Sequence, residues 1–248
     1  MAKKYANYIF DLYGTLVDIR TDEEKPALWK QMAFFFGFHN ARYTSVELKR
    51  RYHEIVEEAL KEKKAAESAK YDHEAYPEIK IEEVFEKLYK EKNVEPDEEL
   101  LIYTCKMFRV ASTDWLKVYP GAVELIKKLK KKGKVYILSN AQRQFTQYEL
   151  NALGISSLFD GVLISSDAGF AKPDVEFFKK LETEFGVDFS ESLMIGNDSK
   201  NDIEGAKAVV MDTFYVRSAI SPENDPTPDA TYTLEEPDLG EVMDILCN

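Results

Sequence analysis

Apolar residues change their spacing twice along the chain, near Val17 and again near Tyr119 and Pro120, and the two changes divide the sequence into three stretches. The first opens with a dense apolar and aromatic run, YANYIFDLY, and stops at Gly14 and Thr15, as a buried strand does when it runs into a loop. Asp11 falls at the carboxyl end of that strand. The second stretch is rich in Glu, Lys and Leu, and its apolar positions recur three and four apart, as in Val84 with Leu88 and Phe85 with Tyr89. That spacing predicts several amphipathic helices and almost no strand. From Pro120 onward the pattern alternates between the two periods. It predicts helices over 122–132 (stopped by Gly133), 145–153, 175–185 and 203–210, and strands over 135–138, 162–165, 193–195 and 213–216. A short strand near Tyr232 and a helix near Val242 follow.

Strands and helices alternating at these lengths imply an α/β fold with a doubly wound parallel sheet and right-handed crossovers. The expected organisation is a catalytic core made of 1–17 and 118–248, interrupted by an all-helical cap over 18–117. Ligands of such sheets bind beyond the carboxyl ends of the strands. Chemistry-bearing residues fall there in four places: Asp11, then Ser139 and Asn140, then Lys172, then Asn197, Asp198 and Asp202. Each follows an apolar run except Lys172, which opens a helix. Taken singly they are unremarkable. An aspartate before Gly-Thr is common in turns, a lone lysine is usually solvated, and Asp198 or Ser199 would serve as a helix cap with Asp202 in the first turn.

In order, however, FDLYGTLVD, ILSN, the lysine of AKPD and IGNDSKNDIEGA resemble the four motifs of the haloacid dehalogenase-like (HAD) hydrolase superfamily. The insertion after the first motif sits where members of the helical-cap subgroup carry their cap. The resemblance implies a Rossmann-type core and a hydrolase, foremost a phosphatase acting on a small phosphorylated metabolite through an aspartyl-phosphate intermediate. Asp11 would be the nucleophile, splitting one hard displacement into two easier ones. Ser139, Asn140, Lys172, Gly14 and Thr15, with backbone amides near Tyr13 and Gly14, would hold the transferring group, whose charge needs fixed donors and cations. Mg²⁺ would be bound by Asp11, the backbone carbonyl of Tyr13 and Asp198, with Asn197 and Asp202 in support.

One residue departs from the pattern. Family phosphatases usually carry a second aspartate two positions after the nucleophile, as general acid and then base; here that position is Tyr13. A phenol titrating near pH ~10 donates a hydrogen bond at neutral pH but accepts a proton poorly. Tyr13 among the catalytic residues therefore brings in a second reading, because D-x-Y-G-T-L looks like the first motif of the metal-independent 2-haloacid dehalogenases. Asp198 and Asp202 favour the Mg²⁺-dependent phosphatase, since dehalogenases typically show a serine, asparagine and aromatic pattern in the fourth motif. A non-catalytic ligand-binding protein on the same scaffold is a third reading.

Composition narrows the partners. With 45 acidic against 33 basic residues the formal charge is −12, which repels nucleic acid and anionic membranes. The partner expected is a small molecule, a phosphate ester, held by local cations; the oligomeric state is not legible. Two distant cysteines, Cys105 and Cys247, and an N-terminus without an apolar core segment fit a cytoplasmic protein. Three conspicuous runs have ordinary explanations. Arg42, Lys49, Arg50, Arg51 and His53 read as a solvated helix face, and the lysines of 127–134 as a solvated helix end. The aromatics Trp29, Phe34, Phe35, Phe36 and Phe38 read as core packing.

Overall fold

A computed structural model describes residues 3–247. In chain order the elements are β1 (Asn7–Phe10), β2 (Val17–Thr21), α1 (Pro26–Phe38), α2 (Ser45–Ser68), α3 (Ile81–Lys90), α4 (Glu98–Ser112), β3 (Thr113–Val118), α5 (Ala122–Leu129) and β4 (Lys134–Ser139). There follow α6 (Arg143–Ala152), β5 (Gly161–Ile164), α7 (Ser165–Ala168), α8 (Val175–Phe185), β6 (Ser192–Gly196), a π-helical turn (Ser199–Glu204), α9 (Gly205–Ala208), β7 (Asp212–Val216), β8 (Tyr232–Leu234) and α10 (Leu239–Cys247).

Six strands form one parallel sheet in the order β5-β4-β1-β6-β7-β8. All four residues of β1 are buried because helices cover both faces of the sheet. Successive side chains alternate between the faces. Tyr8 and Phe10 join Leu125, Ile126 and Leu129 of α5 and Val242 and Leu246 of α10. Ile9 joins Phe177, Phe178 and Leu181 of α8 on the other side. β1 also lies where the strand order reverses: after it the chain builds outward through β4 and β5, then returns to β6 on β1's other edge. Phe10 stands level with Ile137 and Ile195, so the residues after β1, β4 and β6 emerge side by side at the switch point.

Helices α1–α4 pack around a core of their own, built from Trp29, Met32, Phe36, Tyr52, Phe85, Tyr89 and Phe108, into which Phe145 of α6 also reaches. Phe36 stacks on Tyr89 with ring centroids 4.3 Å apart. Treating the whole aromatic run of α1 as core needs correction: Phe34 and Phe38 are 79% and 76% exposed. The helical period turns Trp29, Met32 and Phe36 inward and leaves those two on the opposite face.

The middle stretch also differs from expectation at its ends, where β2 and β3 pair as an antiparallel two-stranded ribbon from Val17–Val118 to Thr21–Thr113. Short strands of this kind carry no long apolar alternation. They are held by cross-strand pairs: Trp115 donates to Asp18 at 3.0 Å, Lys117 pairs with Asp18 at 3.1 Å, and Arg20 lies over the Trp115 ring. Among the described residues, no helix is long and apolar enough to cross a membrane.

Candidate active site

Asp11 continues β1, its amide donating to Ile195 of β6 at 2.9 Å. The chain then turns sharply, with the Gly14 amide bonded to the Val17 carbonyl at 2.8 Å. Gly14 has φ +89°, and a Cβ there would lie 2.6 Å from Asn197 and 2.7 Å from Ile220, so only glycine fits. Buried Thr15 holds its hydroxyl 3.3 Å from both Asp11 Oδ2 and Asn197 Oδ1.

Lys172 is the electrostatic centre. Its ammonium is buried and lies 2.8 Å from Asp11 Oδ1 and 2.6 Å from Asp202 Oδ1. Burial works against the charge, but the two carboxylates more than offset it and hold the lysine above its ordinary value. Asn140 positions it: the Lys172 amide donates to Asn140 Oδ1 at 2.7 Å and Asn140 Nδ2 donates to the Lys172 carbonyl at 3.0 Å. That double backbone contact was not part of the sequence reading, which gave Asn140 only to the substrate.

Asp202 is folded back under the end of β6, where a side chain at Gly196 would collide with it. Its Oδ2 accepts from the amides of Asn197 and Asp198, both at 3.0 Å. Burial raises its carboxyl, against the pull of Lys172. Asp198 caps the π-helical turn through Oδ1, which accepts from the amides of Lys200 and Asn201, while Oδ2 accepts from Asn201 Nδ2 at 2.7 Å. Capping and cavity lining coexist in this one residue. A cavity of about 160 Å³ is lined by Asp11, Tyr13, Asn140, Lys172, Asn197, Asp198, Asn201, Asp202 and Ile220. Gly14, Thr15 and Ser139 are not among its lining residues, and Ser139 is fully buried with its hydroxyl lacking a partner among the described residues.

Tyr13 lines the cavity, but its hydroxyl is engaged elsewhere. It donates to Glu149 of α6 and lies 3.0 Å from Thr146 Oγ1. Glu149 is in turn gripped by Arg109 of α4, with Nε 2.6 Å from Oε1, and the guanidinium sits over the rings of Tyr13 and Phe145. Burial first, and Glu149 second, push the phenol well above the usual tyrosine range. That hydroxyl is a donor already in use. Arg109 and Glu149 were missed in the sequence because they come from two helices, without motif or spacing to connect them.

The segment before α3 straps the helical layer to the loop that carries Lys172. His73 Nε2 lies 3.0 Å from Asp174 Oδ1, the Tyr76 amide donates to Asp174 Oδ2, and the Ala171 amide donates to the Tyr76 carbonyl. Glu78 accepts from Ser165 at 2.8 Å, and burial raises its carboxyl.

A doubly wound sheet whose strand ends carry this aspartate, lysine and acidic turn defines a haloacid dehalogenase-like hydrolase. The family model so described matches residues 5–209, and the chain belongs to that family. The HAD-hydrolase YfnB of Bacillus subtilis is 26% identical over 246 residues, 98% of this chain and 96% of that protein. The phosphoserine phosphatase of Thermus thermophilus is 29% identical over 127 residues, 51% of this chain and 50% of that protein. The glyceraldehyde 3-phosphate phosphatase of Pyrococcus abyssi is 33% identical over 104 residues, 42% and 44% of the two chains. The chain thus spans about half the length of these phosphatases. A crystal structure of YfnB bound to magnesium covers 98% of this chain and 99% of its own at a TM-score of 0.54 and 23% identity. The L-2-haloacid dehalogenase PA0810 covers 97% of each at 0.59 and 17%, and both likenesses speak to the fold.

Proposed function

We propose that this hydrolase is a Mg²⁺-dependent phosphatase of a small phosphate ester, with Asp11 as nucleophile and the helices of 18–117 as a cap over a core of 1–17 and 118–248. The observation that carries this is the charge of the cavity. Three carboxylates, Asp11, Asp198 and Asp202, face a single ammonium, Lys172. A phosphate dianion entering that surplus of negative charge requires a cation, and the donors present are hard oxygens. Mg²⁺ is usually held by one or two carboxylates, waters and substrate phosphate. Asp11, Asp198 and the Tyr13 carbonyl would hold it, and the ion would neutralise charge on the phosphoryl oxygens.

In the first step an Asp11 oxygen bonds to phosphorus and the ester oxygen departs; in the second, water hydrolyses the acyl phosphate and restores the carboxylate. Lys172, fixed by Asn140 and Asp202, keeps a positive charge beside Asp11 throughout. Ser139, buried at the end of β4 with no partner for its hydroxyl among the described residues, would donate to a phosphoryl oxygen. Residue 13 brings no carboxylate, so protonation of the leaving group falls to solvent.

The test is turnover of a phosphate-ester panel with Mg²⁺ and with chelator. Activity is expected to vanish with chelator and in Asp198→Ala, and to fall by on the order of 10³ or more in Asp11→Asn. Chelator-insensitive release of chloride from 2-chloropropionate would instead make the protein a dehalogenase, the reading that Tyr13 favours.

A further inference from the structure

The lining of the cavity sorts by chemistry. Asp11, Asn140, Lys172, Asn197, Asp198, Asn201 and Asp202 are polar, and the hydroxyl of Tyr13 is already bonded to Glu149. The remaining residue, Ile220, is aliphatic and 40% exposed, so core packing does not account for it. None of the residues lining the cavity comes from α1–α4. We infer that Ile220 is a specificity-determining residue, the wall that contacts the carbon part of the substrate and restricts it to short phosphate monoesters. This rests on the phosphatase reading.

Two observations support it. The first is size: about 160 Å³ is well under the ~300 Å³ at which pockets for larger organic ligands begin, leaving room for a phosphoryl group and a few atoms beyond it. The second is that Ile220 is fixed. It packs over the Gly14 turn, where a Cβ would meet its Cγ1 at 2.7 Å. The loop that carries it, after β7, is tied to the fourth-motif segment on both sides of Ile220. Ser221 donates to the Asn197 carbonyl at 2.6 Å, and Asn197 Nδ2 donates to Ser218 at 3.2 Å. Further along, buried Asp225 accepts from the Ser199 amide at 3.0 Å, from the Ser199 hydroxyl, and from Tyr215 at 2.8 Å. A side chain held this way is a rigid limit on size, set by the core itself.

The experiment compares Ile220→Ala and Ile220→Phe with the parent protein on glycerol 3-phosphate and 1-naphthyl phosphate, with inorganic vanadate as a probe of the phosphoryl subsite. Ile220→Ala is expected to raise kcat/KM for the naphthyl ester relative to the glycerol ester by about tenfold, and Ile220→Phe to lower that ratio. Vanadate inhibition should stay within about twofold of the parent in both, because the polar residues that hold the phosphoryl group are untouched. An unchanged ratio in both variants, or loss of vanadate inhibition together with turnover, would overturn the assignment. A parent protein that hydrolyses neither ester would end the phosphatase reading, and the inference with it.

Discussion

Asp11 leaves one carboxylate oxygen on Lys172 and the other beside the Thr15 hydroxyl, whereas Tyr13, two residues on, faces away toward Glu149. Proton-transfer help from a carboxylate is worth roughly 10² to 10⁴ in rate, so its absence at residue 13 should make hydrolysis of the aspartyl phosphate the slow step. Rapid mixing with 4-nitrophenyl phosphate is expected to give a burst of nitrophenolate near one per site, then slow release. Tyr13→Phe should keep both phases within a few-fold. It should lower stability by about 1–3 kcal/mol in urea unfolding, since it removes a buried partner from Glu149. A collapse of the steady rate with stability unchanged would return the hydroxyl to the chemistry. Asp11, Asn140, Asn197, Asp198 and Asp202 were legible as candidates because each stands in a short motif that follows a strand, and Lys172 because its motif precedes a helix. Arg109 and Glu149 were not, because their meeting depends on how α4 packs on α6. The same holds for Ile220, a solitary apolar residue in a polar loop that no periodicity singles out.

At the scale of elements, the strap before α3 places Glu78 between the helical layer and the core, bonded to Ser165 and to the Ile79 amide. Its carboxyl is raised by burial, so the proton is bound more tightly in the folded state than in the unfolded one. Whatever stability Glu78 contributes is therefore complete below its unfolded pKa of roughly 4.3 and is lost as pH rises through the folded-state value. Glu78→Gln, which cannot ionise, is expected to melt higher than the parent at pH 8, with the difference shrinking toward pH 4. Melting curves of the pair at the two pH values check this, and a constant gap would show that titration of this carboxyl is not involved. Helices were read well where one face is apolar, as in α3, with Val84, Phe85, Leu88 and Tyr89 all buried. The reading failed in α1, where aromatics occupy both faces, and at the β2–β3 ribbon, whose pairing is long-range and whose strand β3 buries none of its residues fully.

Across the whole molecule, the alternation of strands and helices was sufficient to anticipate the parallel sheet, though not its strand order, which depends on contacts between distant segments. The net charge of −12 acts at this scale too. The cation lining the cavity, Lys172, is already matched by Asp11 and Asp202, so a phosphate dianion would approach against a repulsive field. Raising ionic strength from about 0.01 to 0.15 M shortens the screening length from ~30 to ~8 Å. At saturating Mg²⁺ this is expected to raise kcat/KM up to a few-fold; a fall would mean that local attraction dominates. The ribbon of β2 and β3 has a different consequence. The chain leaves the sheet-bearing body and returns to it through two adjacent strands, and Thr21 and Thr113 face each other at their far end. A two-residue Asn-Gly turn joining them would close an ordinary hairpin. The four helices between therefore leave and rejoin the sheet-bearing body at one paired junction, so exchanging them as a unit would leave β1, which Asp11 continues, in place.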